Sequence, residues 1–324
     1  MNKPLRWGIL GLGKISQKSM LPAFKFTQFA HCSALASRDL GKAQKVAQEC
    51  PSQPLALHYE DLLTSESVDA IYIALPNHLH AEWAIKALKA GKHVLCEKPM
   101  AMSLKELEHI KVAVEQTGLI CAEAFMYRHH PQHASIKNLI ASGAIGSLHH
   151  FRAHFSYFLD DLSNIRSRPE CGGGAWMDVG CYGVDSARYI IGEEPLSWNL
   201  MSHIDPKSGV DDSSCCQMEF PSGILAHIYC STKTTREHCY EVSGTRGKLE
   251  VREAFIPAGG KTSNIVLTND EGQKVIKHQG VNQYALELDH FAACVKQGRL
   301  LAPMENGELN GRILFHRHPY FRPD

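Results

Sequence analysis

The segment that decides the fold is Arg6-Trp-Gly-Ile-Leu-Gly11-Leu-Gly13-Lys-Ile-Ser16, near the start of this 324-residue chain. An apolar run with the character of a β-strand leads into two closely spaced glycines, and a helical pattern follows them. Gly11 permits a tight turn, and Gly13 lets the backbone approach a pyrophosphate, whose charge the N-terminus of the helix stabilises. The segment therefore predicts a dinucleotide-binding turn in which Lys14 and Ile15 also contact the cofactor. Ser16 stands where the third glycine of that fingerprint usually stands.

The residues after this turn alternate between strand-like and helix-like patterns up to about residue 123. The predicted strands are 6–10, 32–36, 70–74, 93–96 and 119–122, and the predicted helices are 15–26, 41–48, 79–90 and 104–117. Such alternation is typical of a parallel sheet with crossover helices. A lone glycine fingerprint is weak, but its position at the start of a βαβ rhythm predicts an α/β Rossmann domain over residues 1–123.

Beyond residue 123 the alternation gives way to strands in close succession. Helical patterns cover 132–142, a stretch ending near Gly192 and 283–297, and the predicted strands are 197–203, 214–220, 225–231, 240–243, 248–251, 265–268 and 274–277. This order predicts an α+β second domain, residues 124–324, with a large, mostly antiparallel sheet and helices on one face. Because such a sheet leaves its other face to be covered, we expect a homo-oligomer formed through it.

The composition excludes several classes of protein. Hydrophobic residues make up 44% of the chain and charged residues 21%, so intrinsic disorder has no support. Lys and Arg together number 34, as do Asp and Glu, and no net field attracts nucleic acid or an anionic membrane surface. No apolar run approaches the roughly 20 residues that span a bilayer. We therefore expect neither nucleic acid nor a membrane as a partner.

Cysteine and histidine usage bears on compartment and metal binding. The 11 cysteines are scattered without a C-x-x-C pair, and several lie in apolar strand-like stretches. We interpret them as reduced, which indicates a cytoplasmic protein. The 19 histidines show no zinc-ligand spacing with a matching cysteine or carboxylate set, so no metal is expected.

The end of the second predicted strand, Ala36-Ser37-Arg38-Asp39, bears on cofactor choice. About 20 residues after the glycines, NAD-specific proteins commonly place an acid that binds the ribose 2′-hydroxyl. Ser37 occupies this position and Arg38 follows it; a hydroxyl and a guanidinium bind a 2′-phosphate, which a carboxylate repels. NADP is therefore expected rather than NAD. Two alternatives are a solvated Arg38 with Asp39 as a helix cap, and a one-residue shift that restores Asp39 as the acid.

With these features in place, the chain resembles the glucose-fructose oxidoreductase, inositol dehydrogenase and rhizopine-catabolism (Gfo/Idh/MocA) family. Five blocks carry the resemblance and together extend over most of the chain. They are Gly11 to Ser16; Leu75-Pro-Asn77-His-Leu-His80; Glu97-Lys98-Pro99; Glu123-Ala-Phe-Met-Tyr127-Arg-His-His-Pro131; and Gly172-Gly-Gly-Ala-Trp-Met-Asp178-Val-Gly-Cys-Tyr182.

The resemblance implies a role for three residues in catalysis. Lys98 would lie beside the nicotinamide and the reacting substrate oxygen, where a cation stabilises a developing alkoxide and favours the ionised form of Tyr182. Tyr182 would be the acid/base; most members have histidine at this position, and tyrosine is similar to the dihydrodiol dehydrogenase and NADP-dependent xylose dehydrogenase branch. Asp178, four residues earlier on the same predicted helix face, would position substrate hydroxyls or orient Tyr182.

Other residues are expected around the cofactor and substrate. The resemblance places Asn77 and His80 near the nicotinamide ribose, although His80 is alternatively an ordinary residue at a helix start, and Leu75, Pro76 and Glu97 are further expected cofactor contacts. Further candidates for the pocket are Tyr157, Arg166, Arg168, Trp176 and Tyr284. The tail beyond Leu309 differs from the family's terminal amphipathic helix, and its late prolines exclude a long helix.

Together these features predict an NADP-dependent oxidoreductase that transfers a hydride between nicotinamide and a secondary alcohol or carbonyl of a sugar or cyclic diol. One alternative is a non-catalytic NAD(P)-binding sensor or regulator with the same fold. A second is a reductase of a bulky conjugated substrate.

Overall fold

The computed structural model describes residues 3–257 and 262–316. Contacts group the described residues into two compact units: Met1–His129 with Asn282–Gly311, and His130–Val281 with Arg312–Asp324. The sequence predicts that a cofactor-binding domain ends at residue 123 and a substrate-binding domain follows it, and this boundary stays a prediction. The contacts add that the segment 282–311, which the sequence analysis assigned to the second domain, packs with the first unit.

The first unit is built on a six-stranded sheet in which every pairing is parallel, with strand order β3-β2-β1-β4-β5-β6. Its strands are β1 (Leu5–Leu10), β2 (Ala30–Ala36), β3 (Leu55–Leu57), β4 (Ala70–Ile73), β5 (His93–Glu97) and β6 (Cys121–Ala124). This order is that of a doubly wound dinucleotide-binding sheet, which confirms the predicted Rossmann fold. All four residues of β4 are buried, as expected for a strand covered on both faces.

Nine α-helices lie within the described residues. They are α1 (Leu21–Ala23), α2 (Leu40–Glu49), α3 (Tyr59–Thr64), α4 (His80–Lys89), α5 (Leu104–Thr117), α6 (Pro131–Ala141), α7 (Cys181–Ile191), α8 (Gln283–Gln297) and α9 (Glu308–Leu314). The helix predicted over 15–26 begins instead as a π-helical turn, Ser16–Met20, before the short α1. The sequence analysis also missed β3 and α3, because their short apolar runs show little periodicity.

Helix α8 covers part of the parallel sheet of the first unit. The Phe291 ring lies 5.0 Å from the Trp7 ring, and Leu288 is fully buried in the same core. The Asp289 carboxylate accepts hydrogen bonds from the Thr27 hydroxyl and, at 3.1 Å, from the Phe29 amide. The side chains of α8 thus complete a core that the first 129 residues begin.

The second unit contains an eight-stranded sheet with order β14-β13-β12-β11-β7-β10-β9-β8. Its strands are β7 (Leu148–Phe158), β8 (Ser197–Ile204), β9 (Asp211–Glu219), β10 (Leu225–Ser231), β11 (Lys233–Gly244), β12 (Gly247–Val251), β13 (Ser263–Asn269) and β14 (Gly272–His278). Only β7 and β10 pair in parallel, which confirms the predicted mostly antiparallel sheet.

One face of this sheet packs against α7 and a buried aromatic group. The Phe155 and Phe255 rings stack with 5.5 Å between centroids, and the Phe151 and Tyr240 rings do so at 5.4 Å. On the opposite face, side chains such as Met201 and Leu225 are more than half exposed. The sheet therefore has one core face and one open face, as the sequence analysis expected.

The described part of the chain bears on three further expectations. It contains no helix that combines the length and the apolar character needed to cross a membrane. Within the same ranges, no cluster of three or more His, Cys, Asp and Glu side chains is placed to hold a metal ion. Helix α9 has seven residues, and most of the tail discussed above, residues 317–324, lies outside the described residues.

Helix α6 begins at a histidine whose protonation would break its cap. The buried His130 ring accepts a hydrogen bond through Nδ1 from the Gln132 amide at 3.2 Å. Burial, assisted by the nearby His278, lowers the pKa of His130 from 6.5 to about 4. Only the neutral ring can accept this bond, so the low pKa and the cap agree.

This cap predicts a specific dependence of stability on pH. Between pH 6.5 and pH 4 the unfolded chain binds a proton at residue 130 that the folded chain does not, so the free energy of unfolding falls as the pH falls, by at most about 1.4 kcal/mol per pH unit. His130→Asn keeps a capping acceptor and does not titrate. Urea unfolding across this range should show a smaller loss of stability in the variant than in the wild type. Parallel pH dependences in the two proteins would contradict the assignment.

Candidate active site

The glycine turn after β1 is packed against the ends of two neighbouring strands. Gly11 has φ of 99°, and a Cβ added to it would lie 2.5 Å from the Ala74 carbonyl oxygen. Its amide donates to the Ala36 carbonyl at 3.1 Å. Only glycine fits here, because the backbone conformation is left-handed and the carbonyl occupies the space of a side chain.

A hydrogen bond from Ser16 stabilises the glycine turn, in which serine replaces the third glycine of the fingerprint. The Ser16 side chain is fully buried, and its hydroxyl donates to the Gly11 carbonyl at 2.6 Å. Gly13 is exposed, and no atom of the described residues lies within 4 Å of a Cβ added there. The turn thus holds itself together through Ser16 and leaves open space above Gly13, as a bound phosphate requires.

The end of β2 distinguishes between the alternatives for Asp39. The Asp39 carboxylate accepts a hydrogen bond from the Lys42 amide at 3.1 Å and caps α2. Ser37 is buried and its hydroxyl accepts from the Asp39 amide at 3.2 Å, whereas Arg38 is exposed. The Asp39 carboxylate thus caps the helix, and Arg38 is an exposed cation at this strand end, beside the Tyr59 hydroxyl.

His80, which we expected either near the cofactor or as an ordinary residue at a helix start, is the first residue of α4. The side chain is 1% exposed; Nδ1 lies 2.8 Å from the Pro99 carbonyl oxygen and Nε2 lies 2.8 Å from the Leu75 carbonyl oxygen. Burial lowers the pKa of His80 to about 4, against the effect of these two carbonyls. His80 therefore lies between the segment after β4 and the segment after Lys98, where the ring nitrogen that carries the proton donates to one of the two backbone carbonyls.

Glu97 belongs to a largely buried group of polar side chains. The Tyr72 hydroxyl donates to its carboxylate. Glu287 of α8 is 1% exposed, and burial followed by the charge of Glu97 raises its pKa well above the usual range. Tyr284 has a pKa raised by burial and then by Glu97. Because a like charge close to Glu97 is unfavourable, Glu287 is the member of the pair that stays protonated.

The parallel topology brings the predicted cofactor residues to one edge of the sheet. Gly11 follows β1, Ser37 follows β2, Leu75 follows β4, and Lys98 follows β5. Since parallel strands end at the same edge, the predicted segments Gly11 to Ile15, Ser37 and Arg38, Leu75 to Asn77, and Glu97 and Lys98 lie at the carboxyl edge, where ligands of doubly wound sheets bind. The close packing of Gly11 against Ala74 shows that two of these strand ends approach each other, and the cofactor contacts of the segments stay predictions.

In the second unit, three glycines precede the helical segment that carries Asp178 and Tyr182. A Cβ added to Gly173 would lie 2.5 Å from the Arg166 carbonyl oxygen, and one added to Gly174 would lie 2.0 Å from Asp211 Oδ1. Gly174 also has φ of 106°. Gly173 and Gly174 are therefore required because a larger side chain would clash with the neighbouring atoms. The alternative interpretation, that a glycine run only makes the loop flexible, does not account for these contacts.

Asp178 is held by two of the residues that we expected in the pocket. The Tyr157 hydroxyl donates to Asp178 Oδ2 at 2.5 Å, and Arg166 Nε donates to the same oxygen at 2.9 Å. The Asp178 charge raises the pKa of Arg166, while burial, followed by Asp178, raises the pKa of Tyr157. The phenol of Tyr157 is therefore a fixed neutral donor, and the guanidinium is a fixed cation whose side chain is 45% exposed.

Tyr182 lies one helical turn beyond Asp178. The π-helical turn Trp176–Gly180 continues into α7, whose second residue is Tyr182. The Tyr182 ring is 5.3 Å from both the Phe155 and the Phe255 rings. Its phenol also contributes to the raised pKa of Arg166, so a cation lies within electrostatic reach of it. Packing thus fixes the ring beside a charged group that favours its ionised form.

The remaining pocket candidates differ in their surroundings. Trp176 is fully buried, and its indole Nε1 donates to the Leu314 carbonyl, so it packs in the core and does not line a pocket. Arg168 is exposed, and Tyr284 is half-buried beside Glu97. The sequence analysis missed Glu287 and Asp211. No local motif marks either one, and only the tertiary structure brings them to these sites.

Comparison with known proteins places this geometry in a family. Residues 5–125 match the model described as an oxidoreductase family with an NAD-binding Rossmann fold, and residues 133–250 match the GFO/IDH/MocA C-terminal domain. The fold is thus that of a nicotinamide-dependent oxidoreductase. The chain belongs to the Gfo/Idh/MocA family.

Individual relatives extend over nearly the whole chain. It is 35% identical to the D-xylose 1-dehydrogenase (NADP(+)) 2 of Haloferax volcanii over 91% of this chain and 90% of that protein. It is 29% identical to the trans-1,2-dihydrobenzene-1,2-diol dehydrogenase of Mus musculus over 96% and 95% of the two chains. Its fold matches KijD10, a 3-ketoreductase from Actinomadura kijaniata solved with NADP and TDP-benzene, with TM-score 0.88, 26% identity and 95% coverage of both chains.

The packing of the glycine turn predicts unequal effects of two substitutions. Gly11→Ala should lower the free energy of unfolding by about 2 kcal/mol or more, because the new Cβ adopts a strained conformation against the Ala74 carbonyl. Gly13→Ala should change it by less than about 1 kcal/mol, because space is open there. Urea unfolding of the two variants measures the difference. Equal losses in both would show that the turn is not packed as described.

Proposed function

We propose that this protein is an NADP-dependent oxidoreductase that transfers a hydride between nicotinamide and a secondary alcohol or carbonyl of a sugar or cyclic diol. The observation that carries the proposal is the arrangement of Tyr182. Its phenol is packed in place one helical turn after a buried carboxylate that two further side chains hold. Such a reaction requires the protein to supply a group that transfers a proton and a group that binds the substrate hydroxyls.

The residues at the sheet edge suit NADP. The open space at Gly13 fits a pyrophosphate at the start of a helix, and the exposed Arg38 beside Ser37 fits a 2′-phosphate. The Asp39 carboxylate, which would repel that phosphate, caps α2. A xylose dehydrogenase relative is named for NADP, and KijD10 was solved with NADP. When bound, this cofactor supplies or accepts the hydride.

The protein's own residues would manage the proton and the developing charge. Tyr182 donates a proton to the oxygen of the new alcohol during reduction and removes it during oxidation. The Lys98 ammonium stabilises the negative charge on that oxygen, and Arg166 favours the tyrosinate form of Tyr182. KijD10 was also solved as a tyrosine-to-phenylalanine variant and as lysine variants. The two altered residues are separated in that sequence by the same interval as Lys98 and Tyr182 in this one.

Asp178 would hold the substrate. A carboxylate fixed by Tyr157 and Arg166 cannot rotate freely, so its orientation toward a substrate hydroxyl is set before binding. Vicinal hydroxyls of a sugar or cyclic diol offer donors that match such an acceptor. The relatives act on compounds of this kind, namely D-xylose and trans-1,2-dihydrobenzene-1,2-diol, according to their names.

We further propose a homo-oligomer that forms through the open face of the second unit's sheet, in a cytoplasmic protein. The exposed Met201 and Leu225 support the oligomer, together with Arg152, which pairs with Glu241 at 3.3 Å. Apolar contacts with charges of both signs suit the pairing of two identical surfaces. All 11 cysteines are free thiols, which fits a reducing compartment.

The cofactor assignment predicts a selective loss of affinity. Arg38→Ala removes the cation proposed to bind the 2′-phosphate, so the Kd for NADPH should rise by about tenfold or more, while the Kd for NADH changes by less than about twofold. Fluorescence titration with both cofactors measures the two constants. Lys89→Ala is the control, because Lys89 is an exposed cation at the far end of α4. A parallel weakening of both cofactors by Arg38→Ala would contradict the assignment.

The catalytic assignment predicts a loss of turnover without loss of cofactor binding. Tyr182→Phe removes the proton-transfer group but keeps the packed ring, so kcat should fall by about a hundredfold or more. Lys98→Ala should have an effect of similar size. NADPH oxidation with a panel of ketoses, and NADP+ reduction with a panel of sugars and cyclic diols, measure kcat, and NADPH fluorescence checks binding. Undiminished turnover in either variant would overturn the role proposed for that residue, whereas a wild type that binds NADPH but turns over no compound of the panel would favour a protein that binds the cofactor without catalysis.

A further inference from the structure

Asp211, the first residue of β9, is fully buried and belongs to none of the motifs discussed above. Its Oδ2 accepts a hydrogen bond from the Trp176 amide at 2.7 Å and another from the Ser214 hydroxyl at 2.8 Å. A carboxyl group is costly to bury and persists only where donors are fixed around it. The Asp211 carboxylate of β9 therefore binds the backbone of the helical turn that carries Asp178.

The amide that Asp211 binds lies at a helix start. The first amides of a helix have no partner within it and are usually bound by a side chain just before the helix. Here glycines and Ala175 occupy that place and offer no such side chain. Asp211 supplies the acceptor from another element, and its negative charge suits the positive end of the helix.

Gly174 and Asp211 are packed in direct contact. A Cβ on Gly174 would lie 2.0 Å from Asp211 Oδ1, and the Gly174 carbonyl accepts a hydrogen bond from the Asp178 amide at 3.1 Å. The Gly174 amide in turn donates to the Arg166 carbonyl at 2.9 Å. The position of Asp211 therefore limits where the residues immediately before Asp178 can lie.

The other side of Asp211 is anchored in the sheet. The hydroxyl of Ser214, in the same strand, lies 2.8 Å from the Ser202 hydroxyl of β8. A chain of hydrogen bonds thus runs from two paired strands through Asp211 to the Trp176 amide. Paired strands are more rigid than a glycine-rich loop. These hydrogen bonds therefore hold the loop in a fixed position relative to the sheet.

We propose that Asp211 is a positioning residue that fixes the first turn carrying Asp178 and Tyr182 in the orientation required for hydride transfer. The inference rests on the proposed function, because it assigns Asp211 to the placement of the two residues that act there. Asp211 does not contact substrate or cofactor in this account. It acts through the backbone at Gly174 and Trp176, which explains why a glycine run and a distant aspartate occur together.

Two substitutions separate geometry from charge. Asp211→Ala removes the acceptor, so kcat should fall by about tenfold or more, as expected when reacting groups are misplaced by a fraction of an ångström. Asp211→Asn should stay within about threefold of the wild type. Its amide oxygen can take the place of Oδ2 and accept from both the Trp176 amide and the Ser214 hydroxyl. The Kd for NADPH should change by less than about twofold in both variants.

Asp212→Ala is the matched control. Asp212 is the next residue of the same strand, and its side chain pairs with His203 Nδ1 at 2.9 Å. We expect this variant to keep the wild-type kcat. Rates are normalised to the fraction of folded protein, measured by circular dichroism, so that a loss of stability alone does not count as a loss of turnover.

Several results would overturn the inference. They are a wild-type kcat in folded Asp211→Ala, and a loss in Asp211→Asn equal to that in Asp211→Ala.

If Asp211→Ala does not fold, Gly174→Ala replaces it in the test. The Cβ of the new alanine would displace the same contact, so kcat should fall about tenfold or more while NADPH binding is retained. A wild-type kcat in Gly174→Ala would refute the proposal. If the wild type turns over no compound of the panel, the proposed function itself fails, and if Tyr182→Phe keeps full activity, the proposed role of Tyr182 fails. If Tyr182→Phe is inactive while Asp211→Ala is fully active, only the role of Asp211 fails.

Discussion

The shared edge of the parallel sheet is the constraint on which the account of the first unit depends. Strands that run in one direction deliver their following residues to one place, so residues far apart in sequence meet there. The contact between Gly11 and the Ala74 carbonyl shows how closely two of these strand ends approach. Ser16 and His80 then fix the intervening segments by binding backbone carbonyls from buried positions. The cofactor and Lys98 assignments both follow from this topology.

The second unit holds the groups that we propose to be catalytic by different contacts. Its carboxylate, Asp178, is fixed by a phenol and a guanidinium, and the turn before it is shaped by glycines packed against Arg166 and Asp211. Such preorganisation avoids reorientation during the reaction, which is the main way that a protein lowers the barrier when the cofactor supplies the hydride. The aromatic packing around Tyr182 serves the same end, since a fixed phenol stays beside its neighbouring charge.

Much of the fold could be predicted from the sequence because its signals are local. The strand, glycine turn and helix at the start are contiguous, and hydrophobic periodicity located most elements to within a few residues. The missed features are non-local or short. The packing of α8 on Trp7, the parallel pairing of β7 with β10 and the burial of Glu287 near Glu97 depend on contacts between distant segments. The π-helical turns at Ser16–Met20 and Trp176–Gly180 have no periodicity that distinguishes them from α-helix.

The site residues divide in the same way. Sequence motifs indicate Gly11, Lys98 and Tyr182 as candidates, and the catalytic roles of Lys98 and Tyr182 stay proposals, whereas the position of His80 between two backbone carbonyls required coordinates. The central claim is that Tyr182 moves the proton that accompanies hydride transfer. The most direct test is single-turnover oxidation of NADPH, and of NADPH deuterated at the transferred position, by the wild type and by Tyr182→Phe. The account predicts a much slower transfer in the variant with a full primary isotope effect, because chemistry then limits the rate. An unchanged rate with an unchanged isotope effect would contradict it.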